Sequence, residues 1–271
     1  MRNFIGSNFK AGRIKIHYYR TGGSKPPFIL LHGVTDNGLC WTPIAKVLAR
    51  QYDVIMPDAQ GHGLSDRLDP DFHFVNHAAQ VVALIKHLEI TNPIIMGHSM
   101  GAVTAVNIAV EQPRLPKAII LEDPAWRAQE AIDSETNDES TKMRDAFTKM
   151  LTARTRKELI AECRIANPRW SEDEIIPWAE AKLQFDHTLL SNMELNSPTY
   201  IEIVPQIQCP TLLITSDGGI VSAEIARHVS KLWESKKPFR WVQINGAGHN
   251  IRREQFEKFM DSVACFLQEI S

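Results

Sequence analysis

No part of this 271-residue chain comes near the ~18 consecutive apolar residues of a membrane span. Neither charge is in surplus. Lys and Arg number 30 against 32 Asp and Glu, a formal net charge of −2, so nothing draws the chain electrostatically toward nucleic acid or an anionic membrane. Cysteine is sparse, and Cys40, Cys163, Cys209 and Cys265 have no CxxC or metal-ligand spacing. A disulfide framework and a metal site are therefore not expected, and free, mostly buried thiols in a reducing cytoplasm are the simplest reading. No apolar run follows Arg2 at the amino terminus, which argues against a secretory signal and again for the cytoplasm. Internal repeats and low-complexity tracts are absent as well.

What is present fits one α/β domain with an insertion, since a single core stops growing at about 250–300 residues. Arg13–Tyr19 alternates as a strand, and Lys10-Ala11-Gly12 before it reads as a hairpin turn. Continuous apolar runs, as in strands buried on both faces, occur at Phe28–Leu31, Val54–Met56, Ile94–Met96, Ala118–Leu121, Leu212–Ile214 and Trp241–Ile244. Helical patterns lie between them at Trp41–Arg50, His73–Leu88, Gly101–Glu111 and Ser222–Trp233, and a last one spans Arg253–Ile270. Strands alternating with helices predict a mostly parallel, doubly wound sheet with the hairpin as an antiparallel edge.

Residues 124–205 break that rhythm. They carry helical patterns, a capping box at Ser171–Glu174 and a weaker one at Thr155 with Glu158, but no buried-strand run. Asp133–Glu139 reads as a solvated acidic loop. A helical insertion of this kind predicts a lid over a core made of residues 1–123 and 206–271, near the carboxyl ends of the strands where such sheets bind ligands. Trp126, Trp170, Trp178 and Phe185 would either line a pocket there or pack the lid down.

The segment with the clearest chemistry is Gly97-His98-Ser99-Met100-Gly101, between a strand and a helix. A sharp turn there lifts the Ser99 hydroxyl clear of the sheet, and its glycines avoid clashes two residues away on either side. It also aims the Met100 amide from a helix start, where unpaired N–H groups favour negative charge. A serine hydroxyl needs a base to take its proton. Of ten histidines, His249 in Gly246-Ala247-Gly248-His249-Asn250 is placed for this, after the last strand and among small residues. His73, His77, His87 and His228 lie in helical patterns and read as surface residues. The carboxylate orienting His249 is expected to be Asp217, which follows the strand Leu212–Ile214; Asp123, at another strand end, is the alternative acid. The amides of Val34, in the loop after Phe28–Leu31, and of Met100 are the expected oxyanion donors, with His32 orienting that loop.

With His32-Gly33, Asp58-Ala59-Gln60-Gly61-His62-Gly63-Leu64-Ser65, Gly97–Gly101 and Gly248-His249 in this order, the chain resembles the α/β-hydrolase superfamily over nearly its whole length. The resemblance implies an eight-stranded, mostly parallel sheet flanked by helices, a helical cap between the sixth and seventh strands, and no cofactor. It makes Asp58–Ser65 a structural turn. It also carries one departure. Relatives often have Gly-x-x-Asp in the acid loop, where this chain has Ser216-Asp217-Gly218-Gly219. Serine at position 99 sets aside the dehalogenase and epoxide hydrolase branches, which resemblance would give an aspartate. The expected activity is carboxylesterase cleavage of a small, short-chain ester. Carbon–carbon bond hydrolysis, perhydrolase or lactonase chemistry, and a non-catalytic ligand receptor remain alternatives. The sequence leaves monomer and homodimer equally open.

Overall fold

The apolar runs form the middle of a sheet because both of their faces are covered. The computed structural model describes residues 4–126, 154–191 and 199–271. Eight strands are β1 (Ile5–Ala11), β2 (Ile14–Arg20), β3 (Pro27–Leu31), β4 (Asp53–Pro57), β5 (Ile94–His98), β6 (Ala118–Glu122), β7 (Thr211–Ser216) and β8 (Phe239–Ile244). Their order is β1-β2-β4-β3-β5-β6-β7-β8, with β2 antiparallel to both of its neighbours, β1 and β4, and the remaining pairs parallel. Every residue of β4, β5, β6 and β7 is buried, as the continuous apolar runs require.

Alternate residues of these strands feed two cores. Ile29, Ile95, Ile119 and Leu213 face one side with the helices α2 (Val75–His87), α3 (Met100–Glu111) and α8 (Ala223–Leu232). Phe28, Met96, Ile120 and Leu212 face the other side, with α1 (Thr42–Leu48) and α10 (Phe256–Glu269). Each such side chain is worth about 1.5–3 kcal/mol on burial, so register is strongly enforced: a one-residue slip would turn both sets around.

The hairpin turns at Gly12, whose φ of 62° suits glycine. The expected carboxy-terminal helix is broken at Gln255 into α9 (Ile251–Glu254) and α10. Between β6 and β7 the described residues add no strand to the sheet. They form α4 (Arg156–Ala166), α5 (Glu172–Gln184) and two single turns, α6 (Thr188–Ser191) and α7 (Tyr200–Ile203). The acidic loop Asp133–Glu139 lies outside the described residues.

The two expected capping boxes part company. Thr155 and Glu158 make theirs in full. Ser171 makes no side-chain cap, and the Glu174 carboxylate, which a box would return to the Ser171 amide, is taken by Arg253 at 2.9 Å. The surface reading of His77 is also corrected. It is buried between α2 and the Asp58–Ser65 turn, with Nε2–H donating to Gln60 O at 3.2 Å. Within that turn Asp58 accepts from the amides of Gly38 and Leu64, at 2.7 and 2.8 Å, which accounts for the segment without chemistry. Among the described residues no helix is long and apolar enough to cross a membrane.

Candidate active site

The parallel strands deliver their carboxyl ends to one edge, and there β5 passes to α3 through Ser99 alone. Ser99 has φ 52° and ψ −114°, a strained conformation for a residue with a Cβ, costing on the order of 1–3 kcal/mol. The flanking glycines are obligatory for close approach. A Cβ on Gly97 would stand 2.2 Å from Gly101 O, and one on Gly101 would stand 2.2 Å from Leu31 O. The Ser99 amide donates to Glu122 O at 3.0 Å, which ties the turn to the end of β6.

His98 pairs with Glu122 across β5 and β6, so Ser99 and Asp123 emerge side by side. The carboxylate on His249 is Asp123, not Asp217. His249 Nδ1 donates to Asp123 Oδ2 at 2.6 Å, which puts the proton on Nδ1 and leaves the Nε2 lone pair free to accept. Asp123 is fully buried, and its other partners are donors too: Ile220 N to Oδ2 at 2.8 Å and Val221 N to Oδ1 at 2.9 Å. Asp217 is exposed and accepts from Gly246 N at 2.8 Å. That bond holds its carboxyl below the usual carboxylate range.

The correction has a packing reason. The loop after β7 turns its main chain onto Asp123, and a Cβ on Gly219 would fall 2.6 Å from Asp123 Oδ2. The loop thus supplies amides to one acid while its own acid pins the base loop. Ser216 Oγ donates to Gly248 O at 2.7 Å, and Gly218 N donates to Ala247 O at 3.1 Å. His98 completes the seating of His249. Its Nε2–H donates to His249 O at 2.9 Å, with the two rings 4.5 Å apart.

The loop after β3 lies against Ser99, since a Cβ on Gly33 would come within 3.3 Å of Ser99 Cβ. Its turn closes through Asp36 N donating to Gly33 O at 3.1 Å, a bond that does not use the Val34 amide. The Met100 amide opens α3 and has no preceding helical carbonyl to bond. His32 holds the loop: Nε2 accepts from Ala59 N at 3.0 Å, so Nδ1–H donates to Gly33 O at 2.8 Å.

Beneath this edge lies a buried ionic network not apparent in the sequence motifs. Asp36 Oδ2 receives Arg253 at 3.0 Å and Arg252 at 3.3 Å, and Oδ1 receives Lys182 at 3.4 Å. Arg252 also pairs with Glu122 at 2.9 Å, and Arg253 with Glu174. Burial by itself would raise the Asp36 carboxyl, yet Arg253, Lys182 and Arg252 hold it well below its ordinary value. Arg252 and Arg253 fall in the single turn α9, and no local pattern names the acids that answer them. The aromatics of the insertion are packing groups. Arg253 lies over Trp170 and Lys182 over Trp178, Trp126 meets Tyr200, and Phe185 is buried with Phe72 and Leu189.

Four buried histidines around this edge set an acid limit on stability. Burial lowers His32 and His77 to about 4, and His62 and His98 well below 6.5. Between pH 6.5 and about 4 the unfolded chain binds protons that the folded one refuses. Each group then removes up to about 1.4 kcal/mol of stability per pH unit as pH falls. Asp58, raised by burial to about 6, and Glu122, also raised, oppose this with only two groups. The urea midpoint is expected to be clearly lower at pH 5 than at pH 7, and an equal or higher value contradicts neutral burial of the four rings.

Residues 28–261 match the alpha/beta hydrolase family. An uncharacterized protein of Mycobacterium tuberculosis is 36% identical over 103 residues, which is 38% of this chain and 30% of that one. N-formylmaleamate deformylase of Pseudomonas putida is 25% identical over 275 residues, covering 98% of both. The crystal structure of E-2-(acetamidomethylene)succinate hydrolase superposes with a TM-score of 0.77 at 22% identity, over 98% of this chain and 100% of that one. At that identity the likeness is one of fold.

Proposed function

We propose, from the premise that this chain belongs to the alpha/beta hydrolase family, that it is a serine hydrolase cleaving small carboxylic esters through an acyl-enzyme. The observation that carries the reading is the 2.6 Å bond from His249 to the buried Asp123, made on the strand neighbouring Ser99. Ser99 Oγ attacks the ester carbonyl carbon while its proton passes to His249 Nε2. Asp123 stabilises the imidazolium so formed. The Val34 and Met100 amides receive the oxyanion, and losing one such donor typically costs ~10²–10³ in rate. Collapse of the tetrahedral intermediate expels the alcohol, which takes the proton from Nε2. Water then repeats the sequence and releases the acid. Residues 124–205 serve as a cap over a core of residues 1–123 and 206–271.

A second reading keeps these residues and changes the bond. The deformylase that aligns over 98% of both chains makes a small amide-type substrate the first alternative to an ester, since both pass through the same oxyanion. One panel separates the two: p-nitrophenyl acetate, its longer acyl homologues, an N-formyl amide, and a dienone ring-cleavage product for carbon–carbon hydrolysis. Acetate is expected to turn over faster than octanoate, and preference for the long chain overturns the short-ester reading. Fluorophosphonate is expected to label Ser99; an unreactive Ser99 points instead to a ligand receptor.

A further inference from the structure

The insertion and the oxyanion loop meet through one side chain. Lys182, on α5, is 147 positions from Thr35, yet its ammonium donates to Thr35 O at 2.9 Å and to Thr35 Oγ1 at 2.7 Å. Its remaining donor is directed at Asp36 Oδ1, 3.4 Å away. The side chain is only 6% exposed, so its three donors have no water to turn to. Thr35 is an unusual residue to find held this way. It has φ 66°, a left-handed conformation that a β-branched residue adopts only when its surroundings impose it. It also follows Val34 directly inside the turn closed by Asp36 N and Gly33 O, so a shift of Thr35 is passed back to the Gly33–Val34 peptide that carries the Val34 amide.

Asp36 is independently fixed from the core side by Arg252 and Arg253. Removing the ammonium therefore leaves Asp36 with two cations, while Thr35 loses both of its clamps. Among the described residues no other hydrogen bond reaches the carbonyl or hydroxyl of Thr35. The strain at this position is then opposed by the turn bond from Asp36 N to Gly33 O, without either side-chain clamp.

We infer that Lys182 is a positioning residue for the oxyanion loop: by clamping Thr35 it aims the Val34 amide, so that seating of the inserted helix α5 is what assembles the second oxyanion donor. This rests on the serine hydrolase reading. It adds that a group outside the core domain, touching no substrate, governs the chemical step.

The experiment titrates active sites with a fluorophosphonate and then measures kcat per titrated site and KM for p-nitrophenyl acetate. Lys182→Met keeps the length and apolar stem of the side chain. It is expected to lower kcat per titrated site about 10–100-fold, less than loss of a whole oxyanion donor, with KM changed less than twofold. Thr35→Val leaves the ionic network whole and removes only the hydroxyl clamp. It is expected to lower kcat per site in the same direction by about 3–10-fold, and this decides the matter if Lys182→Met does not fold. A merely structural role would reduce the number of titrated sites and leave kcat per site at the wild-type value, which would overturn the inference. Failure of wild-type Ser99 to react at all would instead strike the serine hydrolase reading beneath it.

Discussion

Ser99→Ala is expected to lower kcat by about 10⁵–10⁶-fold, as removal of a nucleophile that works as a unit with its base does, while leaving the unfolding free energy within about 0.5 kcal/mol of wild type. The alanine keeps the Cβ, and with it the strain of a φ of 52°. Ser99→Gly separates the two roles of this position. Glycine accepts positive φ without penalty, so it should be equally inactive but more stable. The gain is the relieved strain of about 1–3 kcal/mol less roughly 0.5–1 kcal/mol for the added freedom of the unfolded chain. Steady-state kinetics beside urea denaturation reads both effects. Residual turnover in either variant above ~1% of wild type would mean that the ester is cleaved elsewhere, since loss of the nucleophile should remove far more than that.

Asp123→Asn is expected to lower kcat by about 10⁴-fold, and Asp217→Asn by less than about tenfold. The difference lies in what surrounds each carboxylate. Every partner of Asp123 is a donor: the His249 Nδ1–H and the amides of Ile220 and Val221. An asparagine has one acceptor oxygen and must turn its NH₂ toward a donor, either displacing a loop amide or forcing His249 into the tautomer that cannot take the serine proton. Asp217 accepts from main-chain donors, foremost Gly246 N, and an asparagine oxygen can accept that bond. Nitrogen chemical shifts of His249 should show the proton leaving Nδ1 in Asp123→Asn and staying there in Asp217→Asn. If Asp217→Asn proves the more damaging, Asp123 is a structural acid and the proposed triad is wrong.

Why the acid was misread from sequence is instructive at the level of residues. Asp123 and Asp217 both follow buried strands, β6 and β7, and both strands end at the same edge. Position straight after the strand Leu212–Ile214 favours Asp217. The pair Gly218-Gly219 carried the opposing signal, because a loop without side chains at that point brings its backbone close to something. That something is Asp123. Likewise Ser171–Glu174 had the letters of a capping box, yet Glu174 pairs with Arg253 across 79 positions. A local motif gave way to a buried charge that Glu174 shares with Asp36.

Sequence alone determined the alternation of strands and helices, the doubly wound class, the turn at Ser99 and the loop that carries His249. These are local consequences, because apolar periodicity, helix starts and glycine geometry act over a few neighbouring residues. The tertiary structure decided which carboxylate reaches the imidazole, how deep His77 lies, and that Lys182 grips Thr35. Those outcomes hang on pairings between residues tens to hundreds of positions apart. They are selected by desolvation in the folded core, where an unpaired charge or N–H is costly and the nearest partner is one that no local pattern names.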